Sequence, residues 1–151
     1  MKKIYSVFIL TLLLFAGGCK QDEAIVPSTL QNYNLLGKWY LKELEITDLD
    51  DPLSSPTILS DYTDKDFFEF KTGNAATYSS TLYAKVFEGY YSANSLANPQ
   101  TLSFKSGELL LKYTIDSLDP LSELIVYEII TTKAAGVTTS TKYQYTYNRL
   151  P

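Results

Sequence analysis

The chain contains no histidine, one cysteine, one methionine and one tryptophan in 151 residues. Without histidine there is no Ser-His-Asp triad, no Cys-His pair and no imidazole to ligate a metal. A single cysteine makes neither a CxxC redox pair nor an internal disulfide. Positive charge is also short, with 13 Lys+Arg against 17 Asp+Glu and a net of −4. A nucleic-acid surface needs a basic patch to neutralise phosphate, so no nucleic-acid partner is expected. Every glycine except Gly17-Gly18 stands alone, which excludes a glycine-rich phosphate cradle. The long apolar run, residues 4–16, falls short of the roughly 20 residues a membrane-spanning helix requires. Tyrosine is what the chain has in quantity, with 13 Tyr against 7 Phe.

Met1-Lys2-Lys3, the short apolar run and Ala16-Gly17-Gly18 together describe a signal peptide. Cys19 follows directly and is the sole cysteine. This arrangement resembles the box of bacterial lipoproteins, which implies a fatty-acylated Cys19, with palmitate as a chain of the expected kind, as the mature N-terminus. Ordinary cleavage after Gly18 is the other reading, but it leaves an unpaired thiol in an oxidising compartment. The expected organisation is a signal peptide over 1–18, an acylated N-terminus and flexible tether over 19–34, and one folded domain over 35–151. Loss of Lys2 and Lys3 takes the net charge from −4 to −6, and an acyl anchor attaches such a protein to a membrane without any basic patch. Lys20-Gln21-Asp22-Glu23 resembles the acidic export tag of surface-displayed lipoproteins. The expected location is therefore the outer membrane, lipid-anchored and facing out of the cell.

From Leu35 onward no helical stripe is visible. β-formers (Tyr, Thr, Phe, Ile, Val) are broken at short intervals by Gly, Asn, Pro and Asp, which predicts an all-β domain. Eight strands are expected, over 38–46, 66–71, 75–80, 82–91, 101–104, 108–116, 123–132 and 140–149, with 48–64 a polar loop. In the first strand Trp39 and Leu41 share a face while Leu44 and Ile46 have the opposite parity. A bulge near Lys42-Glu43 is the expected repair. Eight sequential antiparallel strands close into an up-and-down barrel or split into a two-sheet sandwich.

Leu36-Gly37-Lys38-Trp39-Tyr40-Leu41 resembles the Gly-x-Trp opening of lipocalin-like proteins. Phe68-Glu69-Phe70-Lys71-Thr72-Gly73-Asn74 and Tyr113-Thr114-Ile115-Asp116-Ser117-Leu118 resemble later hairpins of bacterial lipocalin-like lipoproteins. The resemblance implies an eight-stranded antiparallel up-and-down barrel, in which Arg149 packs on Trp39 beside Gly37 to close one end. A central Thr-Asp-Tyr motif of the core carriers has no counterpart here.

Candidate chemistry is sparse. Asp48, Asp50, Asp51, Asp61, Asp64 and Asp66 lack EF-hand spacing and its turn glycine, so they read as a solvated acidic loop, with no metal site. Glu69, Glu88, Glu108 and Glu128 lie on expected strands among lysines, and alternation places them on the outer wall. No catalytic set and no cofactor are expected. The inward set expected to line a ligand is Trp39, Leu41, Phe68, Phe70, Tyr78, Tyr143, Tyr145 and Tyr147. These are wide apolar walls with a few hydroxyls. They suit a small apolar or amphipathic ligand, and no lysine on that face would hold an anionic one. The alternative is a structural or protein-interaction module whose barrel is filled. A monomer is expected.

Overall fold

The computed structural model describes residues 33–151 apart from Ser95 and Glu108. The expected signal peptide, Cys19, the expected export tag and most of the expected tether lie outside the described residues, as does Glu108. Among the described residues there are nine strands: β1 (Gly37–Asp48), β2 (Thr57–Leu59), β3 (Phe67–Phe70), β4 (Ala75–Ser80), β5 (Lys85–Asn94), β6 (Thr101–Ser106), β7 (Leu109–Asp119), β8 (Glu123–Ala134) and β9 (Val137–Asn148). All ladders are antiparallel. Eight strands pair in the ring β1-β3-β4-β5-β6-β7-β8-β9, and β9 returns to β1 to close it. The return of β9 to β1 closes the ring, which decides for the barrel over the sandwich.

The ninth strand corrects the reading of 48–64 as an unbroken loop. Leu59, Ile58 and Thr57 pair with Leu44, Glu45 and Ile46. β3 covers one side of β1 only as far as Tyr40, so the upper half of β1 has a free edge that β2 occupies. The β4–β5 turn is likewise longer than expected. β5 starts at Lys85, because Thr81–Ala84 closes a turn through Ala84 N–H donating to the Thr81 carbonyl at 3.1 Å.

The expected bulge in β1 is present. The register against β9 shifts between Leu41 and Glu43, so that Leu41, Leu44 and Ile46 stand opposite Tyr147, Tyr145 and Tyr143. One extra residue thus turns two mismatched halves of a strand into a single inward face. A second bulge, between Ile115 and Ser117 of β7, aligns Ile115 with Val126 and Leu118 with Leu124.

One end of the barrel is closed. Leu35 and Trp39 are fully buried there, and the Trp39 indole N–H donates to the Leu35 carbonyl at 2.6 Å. Arg149 lies over the Trp39 ring with its guanidinium carbon 3.5 Å from the centroid. Its Nε donates to the Pro120 carbonyl at 3.0 Å and its Nη2 to the Asn34 carbonyl at 3.2 Å. Gly37 sits under this arginine with φ of +103°, and a Cβ there would come 2.8 Å from Arg149 Nη1. The left-handed backbone calls for glycine, and a side chain there would displace the guanidinium from its place over Trp39. The last strand, the first strand and the chain entering the barrel are therefore joined at one point.

Candidate functional site

Depth along the barrel axis sets the burial of the inner face. On β9, Tyr147 is buried at 1% exposure while Tyr145 and Tyr143 are half-buried. On β8, Leu124 and Val126 are fully buried, Glu128 is half-buried and Ile130 is 44% exposed. β7 runs the same way, from Ile115 and Tyr113, both buried, to the half-buried Leu111 and Leu109. The lower half is a packed floor. Above it the walls stay apolar but open into a cup, rimmed by Leu59, Leu82 and Tyr83, which are at least 45% exposed.

Phe68 is the hub of the floor. Its ring meets Phe70 at 5.3 Å, Tyr78 at 4.6 Å, Phe104 at 5.6 Å, Tyr113 at 6.5 Å and Tyr147 at 5.8 Å between centroids. These contacts, one stacked with Phe70 and the others tilted or edge-on, add to the area each ring buries. Trp39, Phe68, Phe70 and Tyr147, from the set read as ligand walls, are packed core with almost no exposed surface. Leu41 and Tyr78, opposite Tyr147 and Phe68, are half-buried at the margin of that floor, and Tyr143 and Tyr145 are half-buried above it. Phe87 and Leu111, which periodicity did not single out, join that upper wall.

Glu128 departs from the sequence reading. Alternation among lysines placed it outside, but the β8–β9 register sets it opposite Tyr143, on the face of Leu124 and Val126. The Tyr145 hydroxyl donates to its Oε1 at 2.9 Å. The Tyr145 ring in turn packs edge-on against Tyr113 at 5.3 Å. Burial, together with the nearby Glu128 carboxylate, pushes the Tyr145 phenol well above its ordinary pKa, and burial raises Tyr113 likewise. Both stay protonated donors throughout the physiological range. Glu69 and Glu88 do lie outside, held by Lys71 at 3.4 and 3.9 Å.

The wall beside Glu128 is incompletely paired. β7 and β8 are joined from Thr114–Tyr127 downward, whereas Leu109–Tyr113 pair only with β6 and Glu128–Ala134 only with β9. A groove of about 500 Å³ follows this split, reaching Tyr113 and Glu128 and bordered outside by Lys112 and Ile129. A second groove, about 550 Å³, lies on the outer wall around Tyr90 and Leu110.

The acidic segment is not uniformly solvated. Asp66 is buried at 2% exposure and accepts hydrogen bonds from the N–H and hydroxyl groups of both Thr81 and Thr63. Burial alone would raise its pKa, but those four donors outweigh it and hold the carboxyl below the ordinary range. Asp48 and Asp51 accept from backbone N–H groups two residues on, and Asp50 accepts from Ser140 N–H. Among the described residues no group of three acidic, cysteine or histidine side chains is disposed to hold a metal.

No protein-family model and no curated protein matches the chain. Among solved structures, an LTBP1 tyrosine mutant in complex with leukotriene C4 is similar at a TM-score of 0.44 and 9% identity. That likeness covers 81% of this chain and 71% of the other. The class of the protein is therefore defined by its own geometry, a closed eight-stranded up-and-down barrel with one packed end and one open, apolar end.

Proposed function

We propose that this chain is a lipid-anchored outer-membrane lipoprotein of the lipocalin-like superfamily, displayed on the cell surface, whose barrel binds a small apolar or amphipathic molecule without catalysis. The observation that carries the binding reading is the gradient on the inner face. Fully buried Leu124 and Val126 give way to half-buried Glu128 and 44% exposed Ile130 on a single strand. The upper half of that face is open to solvent, unlike the packed floor. An apolar cup over an aromatic floor, with few polar groups, has the character of small-molecule sites. The anchor and location rest on the sequence at Cys19 and Lys20-Gln21-Asp22-Glu23.

Titration with Nile red tests the cup. Saturable binding, weakened in a folded Tyr143→Ala variant, is the expected result; no saturable binding of any amphiphile would refute it. Cys19→Ala should release the protein from the membrane fraction, and continued incorporation of labelled palmitate into that variant would refute the anchor. A second reading, a protein-interaction module, is favoured by one observation: Tyr90 and Leu110 are 68% and 51% exposed beside the outer groove.

A further inference from the structure

Glu128 is an anion in a place built from aromatic rings. β9 brings Tyr143 and Tyr145 to it, and β7 brings Tyr113 and, nearer the mouth, Leu111. Its one hydrogen-bond partner among the described residues is the Tyr145 hydroxyl. The ion pairs among those residues join Lys71 to Glu69 and Glu88, on the outer wall, so Glu128 has no cation beside it. Lys112 has the outward parity of β7, and Lys142 is turned outward over the Tyr127 ring at 4.7 Å. Lys85 has the inward parity of Phe87 and its ammonium lies over that ring at 5.1 Å, at the rim and three strands from β8. A part-buried carboxylate bonded to a single phenol keeps lone pairs free to receive a cationic donor. Phenol rings also attract cations over their faces.

The approach to the cup has the same sign. β1 rises to Asp48 at the open end, and Asp50 reaches Ser140 on the facing strand β9. Asp51 stands exposed in the same loop. These carboxylates flank the β1–β9 side of the entrance, and their field favours the arrival of cations there.

We infer that the cup selects a positively charged amphiphile, a protonated amine or quaternary ammonium with an apolar tail, and that Glu128 is the residue that reads the charge. The ammonium lies at the Glu128 carboxylate among Tyr113, Tyr143 and Tyr145. The tail lies along the apolar upper wall formed by Leu44, Ile46, Phe87 and Leu111. Lys112 at the outer lip of the β7–β8 split disfavours entry there, so the ligand enters from the mouth. This inference rests on the cup being a binding site.

Calorimetric titration with octylammonium, octanol and octanoate separates the two claims, because the three share a tail and differ in head-group charge. Octylammonium should bind at least about ten-fold more tightly than octanoate, with octanol between them. Glu128→Gln should collapse that order, and Glu128→Lys should reverse it, with folding checked by thermal melting. On the unaltered protein, the carboxyl carbon resonance of Glu128 should move on adding octylammonium and stay still with octanol. Octanoate binding as tightly as octylammonium would overturn the inference, as would a folded Glu128→Gln variant that keeps the preference or a carboxyl resonance that ignores octylammonium. Octanol bound without any ammonium preference sinks the charge inference alone; failure of all three to bind sinks the binding reading itself.

Discussion

Replacing Arg149 by alanine tests how the barrel is closed. The guanidinium lies 3.5 Å from the centroid of Trp39, which has no exposed surface. A cation–π contact with one face desolvated contributes roughly 1–2 kcal/mol. The two hydrogen bonds, Nε to Pro120 and Nη2 to Asn34, use a charged donor but sit near solvent. Water can replace the arginine at both carbonyls, so together they add about 1 kcal/mol rather than the full value of a charged bond. The expected loss is about 2–3 kcal/mol. For a domain of this size each kcal/mol shifts the melting midpoint by roughly 4 °C, which places the variant about 8–12 °C below the parent. Arg149→Lys keeps the charge without the planar fork and should fall about halfway. Trp39 is the only tryptophan, so urea unfolding followed by its emission reports on this joint. The Ala variant should also shift native emission to the red as water reaches the indole. A midpoint within about 0.5 kcal/mol of the parent and an unmoved spectrum would refute the closure argument.

Asp66→Ala removes the acceptor for four donors at the base of the β4–β5 turn and should cost about 3 kcal/mol in urea unfolding, whereas a loss under about 1 kcal/mol would show the network to be dispensable. Because the folded carboxyl has a pKa below its unfolded value, its contribution is complete above the unfolded pKa of about 3.9 and fades as pH falls through the lower folded value; Asp66→Asn should flatten that acid limb, measured as unfolding midpoints across acid pH. The β8–β9 hairpin turns through Ala135 and Gly136, both left-handed at φ of 49° and 82°. Ala135→Asn should therefore raise stability by about 0.5–1 kcal/mol in a thermal melt, and a lowered midpoint would contradict the turn assignment.

The strands were legible where alternation is strict and the turns carry glycine. Tyr143, Tyr145 and Tyr147 declare one face, and the parity break between Leu41 and Leu44 declares the bulge that restores it. β2 was not legible. Thr57, Ile58 and Leu59 lie among prolines and aspartates, are all exposed, and pair only because β3 stops short of the upper half of β1. Glu128 was legible by a route that alternation among lysines obscures. Once Ala135-Gly136 is taken as a two-residue turn, Ala134 faces Val137, and counting back places Glu128 opposite Tyr143. Hairpin register, not the charge of near neighbours, decides the face. Asp66 looked like its acidic neighbours because, beside the local donors of Thr63, those of Thr81 are fifteen residues away and adjacent only after β3 and β4 pair.

The two ends of the barrel divide stability from access. At the floor, Trp39, Phe68, Phe70, Leu102, Leu124 and Tyr147 come from β1, β3, β6, β8 and β9, so most of the ring converges on one dry cluster. Each such side chain contributes roughly 1.5–3 kcal/mol of burial, against a net stability of only about 5–15 kcal/mol for a domain. The mouth, by contrast, leaves Leu59, Leu82, Tyr83 and Ile130 between 44% and 84% exposed. The split between β7 and β8 belongs to that same upper half, where Glu128–Ala134 are held by β9 alone. A barrel selected only for stability would pair those strands to their ends and place a leucine, not a glutamate, above Val126. Here the floor carries the fold, which leaves the upper wall free to keep an apolar surface wet and a carboxylate half-desolvated beside Tyr145.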